Sequence, residues 1–412
     1  MEDKERAERV AGEEEEIDGE WWSWGAGTDG QLGTGRLQDE HLPQLLSHLS
    51  SSVSHHIVSQ LACGGAHVIA LSSGGRVLTW GRGTCGQLGH GELANGLLPK
   101  PVKFFESFVI SNVSAGWNHS GFVSDSGEIF TCGDGSFGQL GHGDYQSHCS
   151  PVKVLFFCSK HVEQVACGMR HSLVLLKGDS EHPVYGFGSG KRGQLGFSED
   201  RIRSCSLPQA TFGFEDVKII NISANGDHSA ALSADGQLYT WGKGFGGTSD
   251  AYFPQILASP FKVLQVALGW NHALLLTGEY EVFMLGGKLH GMLGDPQKMS
   301  QEKHSTIHSS RCIASNEGFG EANPEKVSDL DGVKVISVSA GAEHSALVTE
   351  NGVIMTWGWG EHGQLGLGNT LDETSPQIVN LDGRPNGNST FHVYCGSGFT
   401  FAIRTVHIPS QI

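Results

Sequence analysis

The protein has 412 residues, of which 38% are apolar and 59 are glycine, and its formal net charge at pH 7 is −17. This apolar content is sufficient for a large core and excludes a disordered chain, while the acidic balance argues against a nucleic-acid partner. No apolar run approaches the about 20 residues of a membrane helix, so no membrane partner is expected.

The chain begins with an acidic segment. Residues 1–20 hold ten acidic and three basic side chains, including the run from Glu13 to Glu16, which predicts a solvated, disordered tail. The segment lacks the apolar stretch of a signal peptide and is too acidic for a mitochondrial transit peptide, so we expect a cytoplasmic location, with the nucleus left open. The nine cysteines are scattered without a CxxC pair, which argues against a disulfide framework or a metal site.

A glycine-rich phrase is repeated seven times after this tail. Its copies begin at Trp24, Trp80, Cys132, Phe187, Trp241, Leu285 and Trp357, at intervals of 44 to 72 residues. A full copy reads WGRGTCGQLGHG, whereas the copy at Trp241 reads WGKGFGGTSD and lacks GQLG. The Leu285 unit is the longest and carries a polar insertion at about 296–324, which predicts either a flexible loop or a partner-binding element.

A second phrase also occurs seven times, and it consists of glycine, two variable residues, histidine and an apolar run. Examples are CGGAHVIAL and AGAEHSALV, whereas the last copy has Phe399 in place of the histidine. Between the two phrases lie a glycine-containing turn and a β-rich run, as in SADGQLYTWG, which is typical of a hairpin. Each unit therefore predicts about four short strands, which matches a propeller blade better than a helical repeat.

The order of the phrases predicts how the ring closes. The first glycine phrase has no histidine phrase before it, and the last histidine phrase has no glycine phrase after it. Joining the chain ends gives seven complete blades, with the N-terminal strand completing the last sheet. We therefore predict an all-β, seven-bladed propeller of four-stranded blades over residues 21–405, followed by a short C-terminal tail at 406–412.

These phrases resemble the RCC1-like propeller family, whose repeat has the same WGxGxxGQLG and Gly-x-x-His wording, and the resemblance covers nearly all of the chain after the tail. The family includes guanine nucleotide exchange factors, an ultraviolet-B receptor and scaffold proteins. The resemblance therefore implies a protein partner, with a small GTPase as the specific candidate, and no cofactor. It does not select among these functions, because function depends on sites carried by the fold.

The resemblance to exchange factors singles out acidic and histidine side chains. One similar blade of an exchange factor has an aspartate just before its histidine, which implies that Asp227 belongs to a GTPase-binding surface. Glu343 has the corresponding position in its own blade, so an acidic rim is the alternative interpretation. A histidine from another blade also belongs to that family surface, and His272 and His344 both remain open as its match.

The histidines that recur once per blade predict a structural role. This interpretation applies to His67, His119, His171 and His228, and equally to the two open candidates. We expect each ring to hydrogen-bond to backbone near the propeller centre, because a buried polar group requires a partner. Metal binding would require several rings to converge, and a sevenfold arrangement keeps them apart.

Two tryptophans raise a further hypothesis. Trp117 and Trp270, each in GWNH, resemble the GWRH tryptophans of the photoreceptor branch, where clustered indoles from successive blades lie beside arginines. Here asparagine replaces the arginine and the two tryptophans are three blades apart, so packing is the alternative. No catalytic constellation is visible, and the oligomeric state is left open. Three functions remain: regulation of a small GTPase, a scaffold without exchange activity, and a light sensor.

Overall fold

The computed structural model describes residues 17–47, 58–178, 180–197, 202–287, 323–381 and 389–407. Within these ranges, 28 strands form seven antiparallel four-stranded sheets, which are the blades of a propeller. The described residues also contain two short 3-10 turns, Lys103–Phe105 and Leu155–Phe157. Residues 1–16 of the predicted tail and residues 296–322 of the predicted insertion lie outside the described residues.

Strands are numbered in chain order, beginning with β1 (Ile17–Gly25) and β2 (Glu40–Leu45). Blade 1 consists of β3 (Val58–Cys63), β4 (His67–Ser72), β5 (Val77–Gly81) and β6 (Gly96–Pro101). Blade 2 consists of β7 (Ile110–Ala115), β8 (His119–Ser124), β9 (Ile129–Gly133) and β10 (His148–Lys153). Blade 3 consists of β11 (Val162–Cys167), β12 (His171–Leu176), β13 (Val184–Ser189) and β14 (Ser204–Ala210).

The later blades follow the same order. Blade 4 consists of β15 (Ile219–Asn225), β16 (His228–Ser233), β17 (Leu238–Gly242) and β18 (Ala251–Ile256). Blade 5 consists of β19 (Val263–Leu268), β20 (His272–Thr277), β21 (Val282–Gly286) and β22 (Glu325–Lys326). Blade 6 consists of β23 (Val335–Ala340), β24 (His344–Thr349), β25 (Ile354–Gly358) and β26 (Glu373–Ile378).

Blade 7 is assembled from both ends of the described chain. Strands β27 (Ser389–Cys395) and β28 (Phe399–His407) join β1 and β2 in the order β2-β1-β28-β27. Strands β1 and β28 pair antiparallel from Ile17 opposite His407 to Gly25 opposite Phe399. The predicted closure of the ring is therefore confirmed, and it leaves no open seam between the first and last blades. The predicted bounds 21–405 are too narrow, because residues 17–20 and 406–407, assigned to the tails, are parts of β1 and β28, which pair with each other.

The histidine phrase forms the second strand of each blade, and this strand is buried on both faces. In β4, β8, β12, β16, β20 and β24 every residue is buried. A strand covered on both sides is a continuous apolar run rather than an alternating one, which explains sequences such as HALLLT. The apolar clusters lie between neighbouring blades; Trp80 of blade 1, for example, packs edge-on against Phe401 of blade 7 with ring centroids 5.9 Å apart.

A glycine ends the third strand of each blade, and the backbone there requires it. These glycines have φ between 74° and 105°, and they are Gly25, Gly81, Gly133, Gly188, Gly242, Gly286 and Gly358. A Cβ on Gly81 would collide with the carbonyl oxygen of Ala66. The turns between first and second strands and the loops between third and fourth strands share one end of the propeller, which we call the glycine face. The turns between second and third strands lie on the opposite face.

Candidate functional site

Most neighbouring blades are connected through the GQLG loops of the glycine face. The backbone carbonyl of Gln31 in blade 7 accepts a hydrogen bond from Trp80 Nε1 of blade 1 at 2.9 Å. The carbonyl of Gln87 in blade 1 accepts one from Ser120 Oγ of blade 2 at 2.7 Å. The hydroxyl contact recurs from Ser172 to Gln139, from Ser229 to Gln194 and from Thr400 to Gln364. Each of these loops therefore binds the blade that follows it.

The recurring histidines belong to the same contacts. Five rings place Nε2 at 2.9 to 3.1 Å from a hydroxyl of the next blade, in the pairs His67–Ser120, His119–Ser172, His171–Ser229, His272–Ser345 and His344–Thr400. The partner is thus a side-chain hydroxyl, and the predicted backbone partner occurs only at His228. Burial lowers the pKa of His67 to about 3 and that of His119 to about 4, so the rings are neutral at physiological pH.

The contact between blades 4 and 5 differs from this pattern. Blade 4 has no GQLG loop, and blade 5 has Ala273 and Leu285 at positions where most other blades have a hydroxyl residue and an aromatic one. Phe245 fills the space instead, packing with both residues and stacking on the His228 ring at 4.2 Å between centroids. The GQLG carbonyl that accepts hydrogen bonds at other contacts is therefore absent here together with the side chains that donate to it.

His228 has its own hydrogen bonds at this contact. Its Nδ1 lies 2.7 Å from the carbonyl oxygen of Lys243, and its Nε2 lies 2.8 Å from that of Trp270. Burial lowers the pKa of His228 to about 4, although the two carbonyl oxygens oppose this shift. A neutral ring has one N–H, so it can donate to only one of these carbonyls.

The rim of the central channel shows the same exception. Six backbone hydrogen bonds connect consecutive blades around it, donated by Gly65, Trp117, Met169, Trp270, Ala342 and Ser397. In blade 4 the N–H of Gly226 instead contacts the side chain of Asn225, whose amide donates to the carbonyl of Leu268 in blade 5. Side chains thus replace the backbone connection at this position.

Polar side chains extend across the glycine face from blade 4 to blade 6. Lys243 Nζ donates to Asn271 Oδ1, and Asn271 Nδ2 donates to Glu343 Oε1 at 2.6 Å. On the other side of blade 4, Asp227 Oδ1 accepts a hydrogen bond from Gln194 Nε2 of blade 3 at 3.0 Å. We call these five side chains the polar row. Asp227 and Glu343, both half-buried, therefore lie on the same face of the propeller.

The two histidines expected on this surface lie elsewhere. His272 and His344 are each 0% exposed, inside the contacts between blades. The polar row instead contains Lys243, Asn271 and Gln194, which sequence reasoning did not select as site residues. A signal was present for the first two, because Lys243 lies in the incomplete glycine phrase and Asn271 lies in GWNH.

Trp117 and Trp270 contact each other despite coming from blades 2 and 5. Their ring centroids lie 5.1 Å apart at 53°, and both side chains are half-buried at the mouth of a central cavity of about 300 Å³. Three blades separate the two residues along the chain, yet the ring brings them together at the channel mouth. Among the described residues, no group of histidine, cysteine and acidic side chains could hold a metal ion.

Within the described ranges, no helix has the length and apolar character that crossing a membrane requires. This finding concerns the described helices alone.

Comparisons with known proteins identify the family of the chain. The profile of the RCC1-like domain matches residues 21–402. The ultraviolet-B receptor UVR8 of Arabidopsis thaliana is 32% identical over 83% of this chain and 74% of its own length. The secretion-regulating guanine nucleotide exchange factor of Bos taurus is 30% identical over 93% of this chain and 82% of its own length.

A solved structure supports the same relationship. The structure of Prp20p from Saccharomyces cerevisiae, described with its binding to Gsp1p and histones, has a TM-score of 0.77 at 25% identity. The match covers 97% of this chain and 93% of Prp20p. With seven sheets, a ring closed by both chain ends and a family profile over nearly its whole length, the chain belongs to the family of RCC1-like domains.

Proposed function

We propose that this propeller regulates a small GTPase in the manner of a guanine nucleotide exchange factor, and that the partner docks on the glycine face at the polar row. The observation that carries the proposal is the placement of Asp227. Gln194 orients this half-buried carboxylate through Oδ1, and Oδ2 has no hydrogen-bond partner among the described residues. The similarity to an exchange factor over 93% of the chain supports the same function.

Exchange requires no covalent chemistry from the regulator. A GTPase holds its nucleotide through a lysine and a Mg²⁺ ion at the phosphates, and an oriented carboxylate on a docked partner can compete for such cationic groups. The propeller then stabilises the nucleotide-free GTPase, which accelerates release. The ordered polar row suits this task, because its side chains are held by one another before the partner binds.

The test measures release of a fluorescent guanine nucleotide from a panel of purified small GTPases in the presence of the full chain. We expect accelerated release from at least one GTPase, and Asp227→Asn should reduce the acceleration by about tenfold or more, because loss of a desolvated charged partner costs about 2 kcal/mol or more. Asp125→Asn is the matched control, since Asp125 is exposed in a turn on the opposite face.

Three outcomes contradict the proposal. Unchanged release across the panel removes exchange activity, and capture of a GTPase without accelerated release favours the scaffold function. Equal activity of the Asp227→Asn variant and wild type would instead place the docking surface elsewhere.

A light-sensing function is a second candidate, and the contact between Trp117 and Trp270 favours it. It predicts that ultraviolet-B light changes the elution of the protein in size-exclusion chromatography, and that Trp270→Phe abolishes the change. Trp359→Phe, whose ring contacts His362, is the control. Elution that is indifferent to irradiation dismisses this candidate.

A further inference from the structure

The loop missing from blade 4 leaves space within that blade. In five other blades the GQLG leucine is between 0% and 3% exposed, and these leucines are Leu32, Leu88, Leu140, Leu195 and Leu365. A hydroxyl of the same blade donates to the carbonyl of the leucine, for example from Thr79 to Leu88 at 2.7 Å and from Thr131 to Leu140 at 2.8 Å. Each intact loop therefore places one aliphatic side chain and one carbonyl at a fixed position in its blade.

Blade 1 shows which residues surround that position. A Cβ on Gly83 would lie 2.9 Å from Leu88 Cδ1, and a Cβ on Gly96 would lie 3.4 Å from the same atom. Together with Thr79, these two glycines form the boundary of the leucine site. The 3.4 Å distance is ordinary contact, so an alanine in place of Gly96 is compatible with a leucine here.

Blade 4 retains the boundary without the leucine. Thr240 and Gly244 correspond to Thr79 and Gly83 in the glycine phrases. Ala251 corresponds to Gly96 because it pairs with Gly242 as Gly96 pairs with Gly81. Thr240, Gly244 and Ala251 all line a cavity of about 280 Å³, which we call the blade 4 groove. Its volume is several times the about 30 Å³ of a water molecule.

The blade 4 groove keeps a donor that no part of the blade uses. Thr240 is half-buried, and its hydroxyl makes no hydrogen bond among the described residues, whereas the hydroxyls of Thr79 and Thr131 each bind a leucine carbonyl. Phe245 does not replace the leucine, because its ring turns toward blade 5 and stacks on His228. The groove therefore offers space and an unused donor on the side of the leucine position that Thr240 and Ala251 border, while Thr248 packs against Gly244 on the other side.

Charge at the groove favours an acidic ligand. Lys243 also lines the groove, and its ammonium group contacts Asn271 and the carbonyl of Trp270, which are both neutral. Among the described residues, no carboxylate lies within 4.0 Å of Lys243 Nζ, whereas Arg82 at the corresponding place in blade 1 pairs with Asp29 at 2.7 Å. An acidic residue on the ligand would supply the missing partner.

We propose that the blade 4 groove binds a segment of a partner protein that contains a leucine and a nearby acidic residue. The leucine side chain enters the position that the GQLG leucine has in other blades, its carbonyl accepts a hydrogen bond from Thr240, and the acidic residue pairs with Lys243. This site goes beyond the proposed regulation of a GTPase and does not depend on it.

The experiment uses the full chain and a fluorescein-labelled peptide, TDGQLGTG, which copies residues 28–35 and contains both an aspartate and the leucine. We expect saturable binding by fluorescence anisotropy. Replacing the peptide leucine by alanine should weaken binding by about tenfold or more, as expected from the loss of a buried leucine side chain. Replacing the peptide aspartate by asparagine should weaken it by about threefold, with a smaller difference at high salt.

Variants of the chain separate this site from the fold. Ser249→Trp, at an exposed residue lining the groove, should abolish binding by filling the space. Thr240→Val should weaken binding by about threefold to tenfold without lowering the free energy of unfolding. Thr79→Val is the matched control: its hydroxyl is buried and bound to Leu88, so this change should destabilise the fold and leave peptide affinity unchanged.

The proposal is overturned if the peptide does not bind at about millimolar concentrations of the chain, or if Thr240→Val and Ser249→Trp bind it as wild type does. Sedimentation gives the remaining outcome. A concentration-dependent dimer of the wild type that Ser249→Trp abolishes would show that a second copy occupies the groove, and the assignment to a partner segment would be wrong.

Discussion

The contact between blades 1 and 2 and the contact between blades 4 and 5 use the same strands but different chemistry. At the first, Ser120 donates to the carbonyl of Gln87 and contacts His67 Nε2. At the second, Ala273 stands at the position that corresponds to Ser120, and the aromatic ring of Phe245 packs in the contact. A buried donor or acceptor left without its partner costs about 1–3 kcal/mol, so the loop and the residues it binds have to change together. The loss of GQLG from the phrase at Trp241 is therefore accompanied by the matching changes to Ala273 and Leu285 in blade 5.

The difference also shows where this propeller has room for function. At contacts made through GQLG loops, the leucines are buried and the loop carbonyls are hydrogen-bonded to hydroxyls of the propeller itself. The blade 4 contact leaves Thr240 and Lys243 beside an open groove, with Asp227 on the same face. The departure from the repeat is thus accompanied by one hydroxyl without a hydrogen bond among the described residues, that of Thr240, and by two charged groups whose hydrogen-bond partners are neutral.

Acidification should have the largest effect, because it acts on every histidine contact together. Burial lowers the pKa of His67, His171, His272 and His344 to about 3, whereas an unfolded histidine titrates near about 6.5. Between these values the unfolded chain binds more protons, so the free energy of unfolding should fall as the pH decreases below about 6.5. The upper bound is about 1.4 kcal/mol per pH unit for each ring. Urea denaturation at several pH values measures this slope.

Single substitutions test whether the buried histidine rings cause the pH dependence of the free energy of unfolding. His171→Gln should reduce the slope of the free energy of unfolding against pH by the equivalent of up to one proton. His228→Gln should reduce it by nearly as much, because burial also lowers the pKa of His228, to about 4. His161→Gln, at an exposed position, is the control. A free energy of unfolding that is constant between pH 7 and pH 5 would contradict the neutral, buried state of these histidines.

Trp80→Ala should be the most destabilising single change at a contact made through a GQLG loop. It removes a side chain that is 0% exposed and leaves the carbonyl of Gln31 without its donor, for an expected loss of about 3–5 kcal/mol. Leu93→Ala, at a position that is 63% exposed, should cost less than about 1 kcal/mol and serves as the control. Equal losses for the two variants in urea denaturation would refute the role given to the Trp80 contact.

The smallest expected effects come from exchanging single hydroxyls between the two kinds of contact. Ser120→Ala should lower the free energy of unfolding by about 1–3 kcal/mol, because His67 Nε2 loses its partner and the carbonyl of Gln87 keeps only the weak donor Cys132 Sγ at 3.7 Å. Ala273→Ser should not raise the free energy of unfolding, since blade 4 has no GQLG glutamine whose carbonyl could accept a hydrogen bond from the new hydroxyl. Ser136→Ala, at an exposed position, is the control. If Ala273→Ser stabilises the protein, the contact between blades 4 and 5 retains an acceptor and the comparison fails.

Much of the fold was predictable because the copies of the repeat can be recognised and counted in the sequence. The GQLG and Gly-x-x-His phrases predicted the strands and the number of blades, and the unmatched phrases at Trp24 and Cys395 predicted the closed ring. Prediction of the site was less complete. Asp227 and Glu343 were selected by their place in the repeat, and the structural role of His272 and His344 was one of two open interpretations. Their hydroxyl partners, Ser345 and Thr400, belong to the next blade, so a single repeat does not contain them.

The sequence by itself determined the number of sheets, the order of their strands and the way the ring closes, because these depend on local periodicity and on glycines that the backbone requires at strand ends. Only the tertiary structure decided which side chains meet across the ring. It brought Trp117 within 5.1 Å of Trp270, placed Asn271 between Lys243 and Glu343, and left a groove beside Thr240. The physical reason is that each blade is covered by its neighbours, so the partner of a residue lies one blade or several blades away along the chain.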